Sequence, residues 1–316
     1  MNPVSLLVSS FRHLLAGFSF ATAFLLLAYV AVFPSSIQAA EASYPLAWLE
    51  PAQTASQLGI NSFSQSPILD ESGLPPVEQR LSDDPPVIFP THTIGSYGGI
   101  AHIIADDRGM LIAAEGLFTI SPDLKTILPN LAESWSYSDD GRQLTVTIRK
   151  GLKWSDGHPL TTEDILFTVN DLQLNSNFMP ITLPDFIGIE LHAIDSWTFI
   201  INFPKPKPFF INYIAQSPEY FLMPKHYFSG FHPDYTNPDV IDERMEELGF
   251  SSWSAFMTTS MQKRLFPDLV NHPTVSAFKI ESLSPGVYSY HRNPYYFKVD
   301  PSGQQLPYID AGEAQD

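Results

Sequence analysis

Around position 146 the chain alternates, with Leu144, Val146 and Ile148 apolar and Thr145, Thr147 and Arg149 polar. That period of two predicts a half-buried strand. Asp139, Asp140 and Gly141 precede it as a turn, because glycine tolerates the positive φ such turns need, so the strand reads as one arm of a hairpin. Past Asp156 and Gly157 the period changes. Thr161 is placed to cap a helix, and Glu163 and Asp164 fall in its first turn, where the helix dipole favours negative charge. Ile165, Val169 and Leu172, with Leu166 beside them, form one apolar stripe at helical spacing. Trp197, Phe199, Ile201 and Phe203 return to period two, and Pro204, Pro206 and Pro208 end that strand. Residues 239–248 predict a helix with Val240, Ile241, Met245 and Leu248 on one side and Gly249 at its stop; Trp253, Phe256, Met257 and Met261 predict another. Residues 109–120, GMLIAAEGLFTI, predict a helix that runs into a loop near Gly116, and residues 288–297 a short strand followed by the RNPYY turn. Strands and helices mix without a regular βαβ repeat, which predicts an α/β fold with mixed sheets flanked by helices rather than a barrel or one doubly wound sheet.

The ends read differently. Residues 43–73 are rich in Pro, Ser and Gln with little periodicity, and predict an extended, partly wrapped arm. Before them, Arg12 and His13 lead into the uncharged run 14–33, then Pro34 and SSIQAAEAS. A positive end, an apolar segment and small residues suited to cleavage predict a signal peptide over residues 1–42. The run is also about long enough to span a bilayer, so an uncleaved anchor is the alternative. With no cysteine, the chain has no disulfide, no thiol chemistry and no N-terminal cysteine for a lipid. A periplasmic protein is the expected product.

Composition narrows the function. At 44% hydrophobic residues the chain can bury a real core, and a formal charge of -17 argues against a nucleic-acid partner, which would require surplus Lys and Arg. No HExxH, GxSxG, P-loop or GxGxxG motif is present. The nine histidines are scattered; His226 and His232, either side of Gly230, have poor spacing for one helical face and read as surface or loop residues, so neither metal nor cofactor is expected. Trp135 and Trp154 sit where strand or turn meets core, and packing is the expected role.

The stretch LPNLAESWSYSDDGRQLTVTIRKGLKWSDGHPLTTEDILFTV resembles the signature region of the family 5 extracellular solute-binding proteins, the peptide, oligopeptide and nickel receptors of ABC importers. LPPVEQRL, GSYGG, AEGLFT, MPKHYF and RNPYYFKVDPSGQQLPYID agree, so the resemblance covers about residues 74–310. It implies a periplasmic-binding-protein-like fold of type II, in the peptide-binding-protein cluster. It further implies two lobes that close on a peptide or related small solute, delivery to an inner-membrane ABC permease, a monomer, and no enzymatic step. Family members run well beyond the RNPYY segment, whereas this chain closes on AGEAQD, which resembles an AGE-x-D element placed further downstream in the family. The expectation is therefore mostly a first lobe over residues 74–310, a tail over 311–316 and no second lobe. An inactive remnant of the family, or a secreted hydrolase with an unrecognised site, are the alternatives. By family position the ligand would meet Ser96, Tyr97, Gly98 and Gly99, where paired glycines let a backbone approach, with Glu115 and Phe118 at the cleft edge and Phe178 after the signature helix.

Overall fold

The computed structural model describes residues 46–104, 115–179, 182–217, 221–262, 270–284 and 286–315. The elements below belong to one compact unit, Tyr44–Asp316. The expected signal peptide and the residues 109–114 expected to be helical lie outside the described residues. Among the described residues no helix is long and apolar enough to cross a membrane.

The signature region builds the larger core. Strands β4 (Ala132–Tyr137), β5 (Gln143–Ile148), β6 (Glu190–Ala193) and β7 (Thr198–Asn202) form an antiparallel sheet in the order β4-β5-β7-β6. The register explains the alternation: Tyr137 pairs with Leu144, which pairs with Ile201, and Trp135 with Val146, which pairs with Phe199. Leu144, Val146, Ile148, Phe199 and Ile201 are wholly buried, each contributing about 1.5–3 kcal/mol of burial. Helix α2 (Thr162–Leu166) covers this sheet and runs on as a wider π-helical stretch, Phe167–Gln173, which keeps Val169 and Leu172 buried. Thr161 caps it reciprocally: its Oγ1 accepts the Glu163 N–H at 3.3 Å, and the Asp164 carboxylate accepts the Thr161 N–H at 3.0 Å. Helix α3 (Phe210–Gln216) completes the core with an aromatic cluster of Phe186, Phe210, Tyr213 and Phe221.

Short helix α4 (Lys225–Phe228) and the longer α5 (Pro238–Leu248) and α6 (Trp253–Gln262) enclose a second core of Phe167, Phe178, Phe228, Ile241, Met245 and Phe256. Gly249 stops α5 at φ 75°, a left-handed cap that suits glycine. Val240 departs from the predicted stripe and is 39% exposed, because α5 turns only its Ile241 and Met245 side fully inward.

The other sheet draws on both ends of the unit. Its order is β1 (Ile100–Ile104), β10 (Ala311–Gln315), β9 (Val287–Arg292) and β8 (Phe278–Ser284), with β1 and β10 parallel and the rest antiparallel. Residues 311–315, expected as a tail, are thus an internal strand with Ala314 buried against Tyr288 and Tyr290. Residues 118–120, expected to continue a helix into a loop, are strand β2 (Phe118–Ile120), paired with β3 (Ile127–Pro129). Tertiary pairing with β3 overrides a local pattern too short to declare a strand.

Residues 46–90 wrap the body. They contain the one-turn helix α1 (Val77–Arg80) and a small core of Ala55, Val77, Leu81 and Val87 closed by Val299. Backbone bonds tie them to the C-terminal segment: Ile88 N–H to the Val299 carbonyl at 2.8 Å, Ser64 N–H to that of Gly303 at 3.0 Å, and Gln305 N–H to that of Ser64 at 2.8 Å.

Candidate ligand-binding site

Strand β1 is the outer strand of its sheet, with β10 on one side and no strand on the other among the described residues. Ile100 is 53% and Ile104 92% exposed along it. Such an edge presents unpaired backbone groups to any extended chain. Gly98 and Gly99 lead into it at φ 127° and 86°, and among the described residues nothing lies within 4 Å of where a Cβ would stand at either. One side of this glycine pair is fixed: Gly98 N–H donates to the Tyr308 carbonyl at 3.1 Å, and the Gly99 carbonyl accepts from Asp310 and Ala311 at 3.2 and 3.3 Å. The other side is open among the described residues.

Tyr97 locks the segment from below. Its hydroxyl lies 3.0 Å from both the Ser64 and the Gln305 carbonyls, and its ring sits under the Arg292 guanidinium at 5.0 Å. Burial pushes the Tyr97 phenol up, against the pull of Arg292. Arg292 is buried and itself held, by Asp310 at 3.0 Å and by the Gln305 carbonyl at 3.0 Å. Ser96 is exposed beside Tyr97. The four residues 96–99 therefore form one rigidly backed, outward-facing backbone.

The remaining expected site residues have other surroundings. Glu115 is enclosed by Lys298, whose ammonium lies 2.9 Å from both carboxylate oxygens, by the Tyr296 hydroxyl at 2.5 Å and by the Asn130 amide at 2.6 Å. Burial acts to raise its pKa, but Lys298 and the Tyr296 and Asn130 donors together outweigh it and hold the carboxyl below its usual range. Its lone pairs are spent inside the protein. Phe118 is 2% exposed and meets the Trp135 ring edge-on at 5.0 Å, and Phe178, also 2% exposed, stacks on Trp253 at 5.8 Å. Both are core residues here, because the apolar pockets under β2 and beneath α6 bury them more fully than a cleft edge would. Trp154 is likewise buried at 2%.

The histidine pair separates. His232 lies in a loop, as expected, but is wholly buried there rather than on the surface, its Nε2 3.2 Å from the Asp171 carbonyl and its Nδ1 accepting the Asp234 N–H at 3.2 Å. His226 instead meets Asp156 and His158. The groups that hold 96–99 and Glu115 (Tyr308, Asp310, Lys298, Asn130) escape local patterns because they come from distant parts of the chain; their one signal in sequence is that LPNLAESW, RNPYYFKVD and LPYID, in which they lie, resemble family motifs.

The sheets, their flanking helices and the wrapped N-terminal segment define a periplasmic-binding-protein fold. A structure of an oligopeptide-binding protein OppA superposes with a TM-score of 0.74 at 31% identity, covering 83% of this chain and 43% of that one. The periplasmic binding protein MelB of Agrobacterium fabrum C58, solved with stachyose, superposes at 0.66 with 27% identity over 80% of this chain and 41% of its own. The family model described as bacterial extracellular solute-binding proteins, family 5 Middle, matches residues 126–315. The periplasmic alpha-galactoside-binding protein of Rhizobium meliloti (strain 1021) is 32% identical over 272 residues, 75% of this chain and 36% of that protein. The chain belongs to the family 5 extracellular solute-binding proteins. It spans about a third of the length of the curated relatives it matches over most of its own length.

Proposed function

We propose that this chain supplies a ligand-binding lobe of the substrate-binding component of an ABC importer. In this reading the protein works in the periplasm, exported by its N-terminal segment, and passes a captured solute to an inner-membrane permease without a covalent step. The observation that carries the reading is the family match across residues 126–315. The open backbone at 96–99 and the free edge of β1 supply its physical basis. An extended oligomer laid along them exchanges backbone hydrogen bonds with the lobe, the strand-addition mode that reads a chain without reading its side chains. Ser96 adds a hydroxyl at the rim, and Tyr97 keeps the glycine pair in place.

Two ligand classes fit an extended, polar oligomer. A peptide satisfies the edge by regular backbone pairing, and the likeness to OppA supports it. An α-galactoside oligosaccharide satisfies the same groups through its hydroxyls. That second reading is favoured by the alpha-galactoside-binding relative and by the stachyose complex of MelB.

A thermal unfolding scan of the chain with stachyose, and separately with a mixed library of short peptides, separates them. A ligand that prefers the native state raises the transition by mass action, by about 2.7 kcal/mol at a hundredfold excess over Kd. The expected result is an upward shift with one class. A cooperative transition that moves with neither would overturn capture by this chain.

A further inference from the structure

The turn between β5 and α2 and the first turn of α4 meet at three side chains of metal-ligating type. His226 Nε2 lies 2.7 Å from Asp156 Oδ2, and His158 Nδ1 lies 3.5 Å from the same oxygen. The ligand atoms of all three residues fall within 4.8 Å of one another. A tetrahedral ion with bonds of about 2.0–2.2 Å separates its donors by roughly 3.3–3.6 Å, so these atoms bracket the span such an ion requires. The two imidazoles lie face to face, centroids 4.0 Å apart and planes within 8°.

Both mounts are rigid. The Asp156 carboxylate accepts the His158 N–H at 3.1 Å, Trp154 N–H bonds the His158 carbonyl at 2.8 Å, and Ser155 N–H bonds the Thr274 carbonyl at 2.8 Å. Opposite them, Lys225 N–H is fixed by the buried Asp164 carboxylate at 2.9 Å, and Phe228 anchors α4 in the second core. Donors set on fixed backbone lose little freedom when they converge on an ion.

We propose that Asp156, His158 and His226 form a three-ligand site for a divalent first-row transition metal such as zinc, with a fourth position open to water. Two imidazole nitrogens and one carboxylate oxygen suit zinc, nickel or copper, whereas calcium and magnesium take oxygen ligands. A metal lies in the plane of each imidazole that binds it, so two parallel rings cannot both address one ion. His158 must therefore turn out of the stack on loading, and its side chain, 59% exposed, has the room. His226, at 23%, stays as the fixed ligand beside Asp156. The ion then ties the turn after β5 to α4, a link separate from solute capture.

The test is calorimetric titration of zinc chloride into the chain, purified without a histidine tag and stripped with EDTA. Expected are one zinc per chain in the wild type, no measurable binding in His158→Ala or His226→Ala, and retention in His192→Ala, whose exposed imidazole lies on β6. Zinc should also raise the thermal transition of the wild type and leave that of His158→Ala unmoved; because His158 is exposed, that variant keeps its fold and decides the matter even if His226→Ala does not. No zinc binding by the wild type, or binding that survives His158→Ala, would overturn the site.

Discussion

Glu115 is a carboxylate whose partners leave nothing for a ligand. Lys298 and Glu115 are each 16% exposed, and Tyr296, buried beside them, has its phenol pushed far up by burial first and by the Glu115 charge second. Removing one partner of such a pair strands the other charge away from water, which costs about 3–5 kcal/mol. Lys298→Met should therefore lower stability by that amount in urea denaturation at neutral pH. The sign of the pH dependence follows from the depressed Glu115 pKa. The pair's contribution is complete above the unfolded carboxyl value of about 4.3 and is lost as pH falls through the lower folded value. Wild type and variant should then converge on acidification below pH ~4, and a gap that persists there would show that lost packing, not charge, accounts for the effect.

At the scale of elements, the helix after the signature turn shows what one side chain contributes. Thr161 and Asp164 satisfy each other's backbone, and Asp164 also takes the Lys225 N–H, so its carboxylate serves two elements although burial pushes its pKa up. Thr161→Ala should cost about 1 kcal/mol, the usual worth of such a cap, read as a lower midpoint in chemical denaturation with an unchanged slope. This helix, β5, β7 and α5 were legible because each buries one face at a fixed period. Strand β10 was not: AGEAQ offers alanine and glycine where a strand shows large apolar residues, and its identity comes from pairing with β1 and β9. Strand β2 is three residues long, shorter than the alternation needs to declare itself. The candidate site divides the same way. Paired glycines at 98 and 99 announce an unusual backbone from sequence, but burial of Phe118 and Phe178 depends on which helices and strands close over them. Asp156 and His226 meet from seventy positions apart, so no local spacing could bring them together.

The whole molecule depends on an arm that has almost no core of its own. Residues 46–90 bury only a few aliphatic side chains, and polar bonds carry much of their attachment. Arg80 is at the centre of these, wholly buried, donating to the Pro75 and Pro294 carbonyls and to Gln65 Oε1, with Gln305 Oε1 beside it. No carboxylate neutralises it among the ion pairs of the described residues, and burial lowers its pKa accordingly. The guanidinium thus joins the arm to the RNPYY turn and to the segment beneath Tyr97, where Gln305 and Arg292 support the open glycine backbone. Arg80→Ala removes the donor to the Pro75 carbonyl and to Gln65 Oε1, each worth about 1–3 kcal/mol, in an arm that cannot spare them, while the Pro294 carbonyl keeps Gln305 Nε2 at 3.0 Å. The expected outcome is local: the arm detaches while the sheet of β4 to β7 stays folded, because opening proceeds by cooperative units of unequal stability. Limited proteolysis followed by mass spectrometry reads this directly. Cleavage within residues 46–90 should accelerate in Arg80→Ala, with residues 131–216 still protected. Loss of protection in both regions at once would mean that the arm and the body unfold as a single unit, and that the wrapped segment is integral to the core rather than fastened onto it.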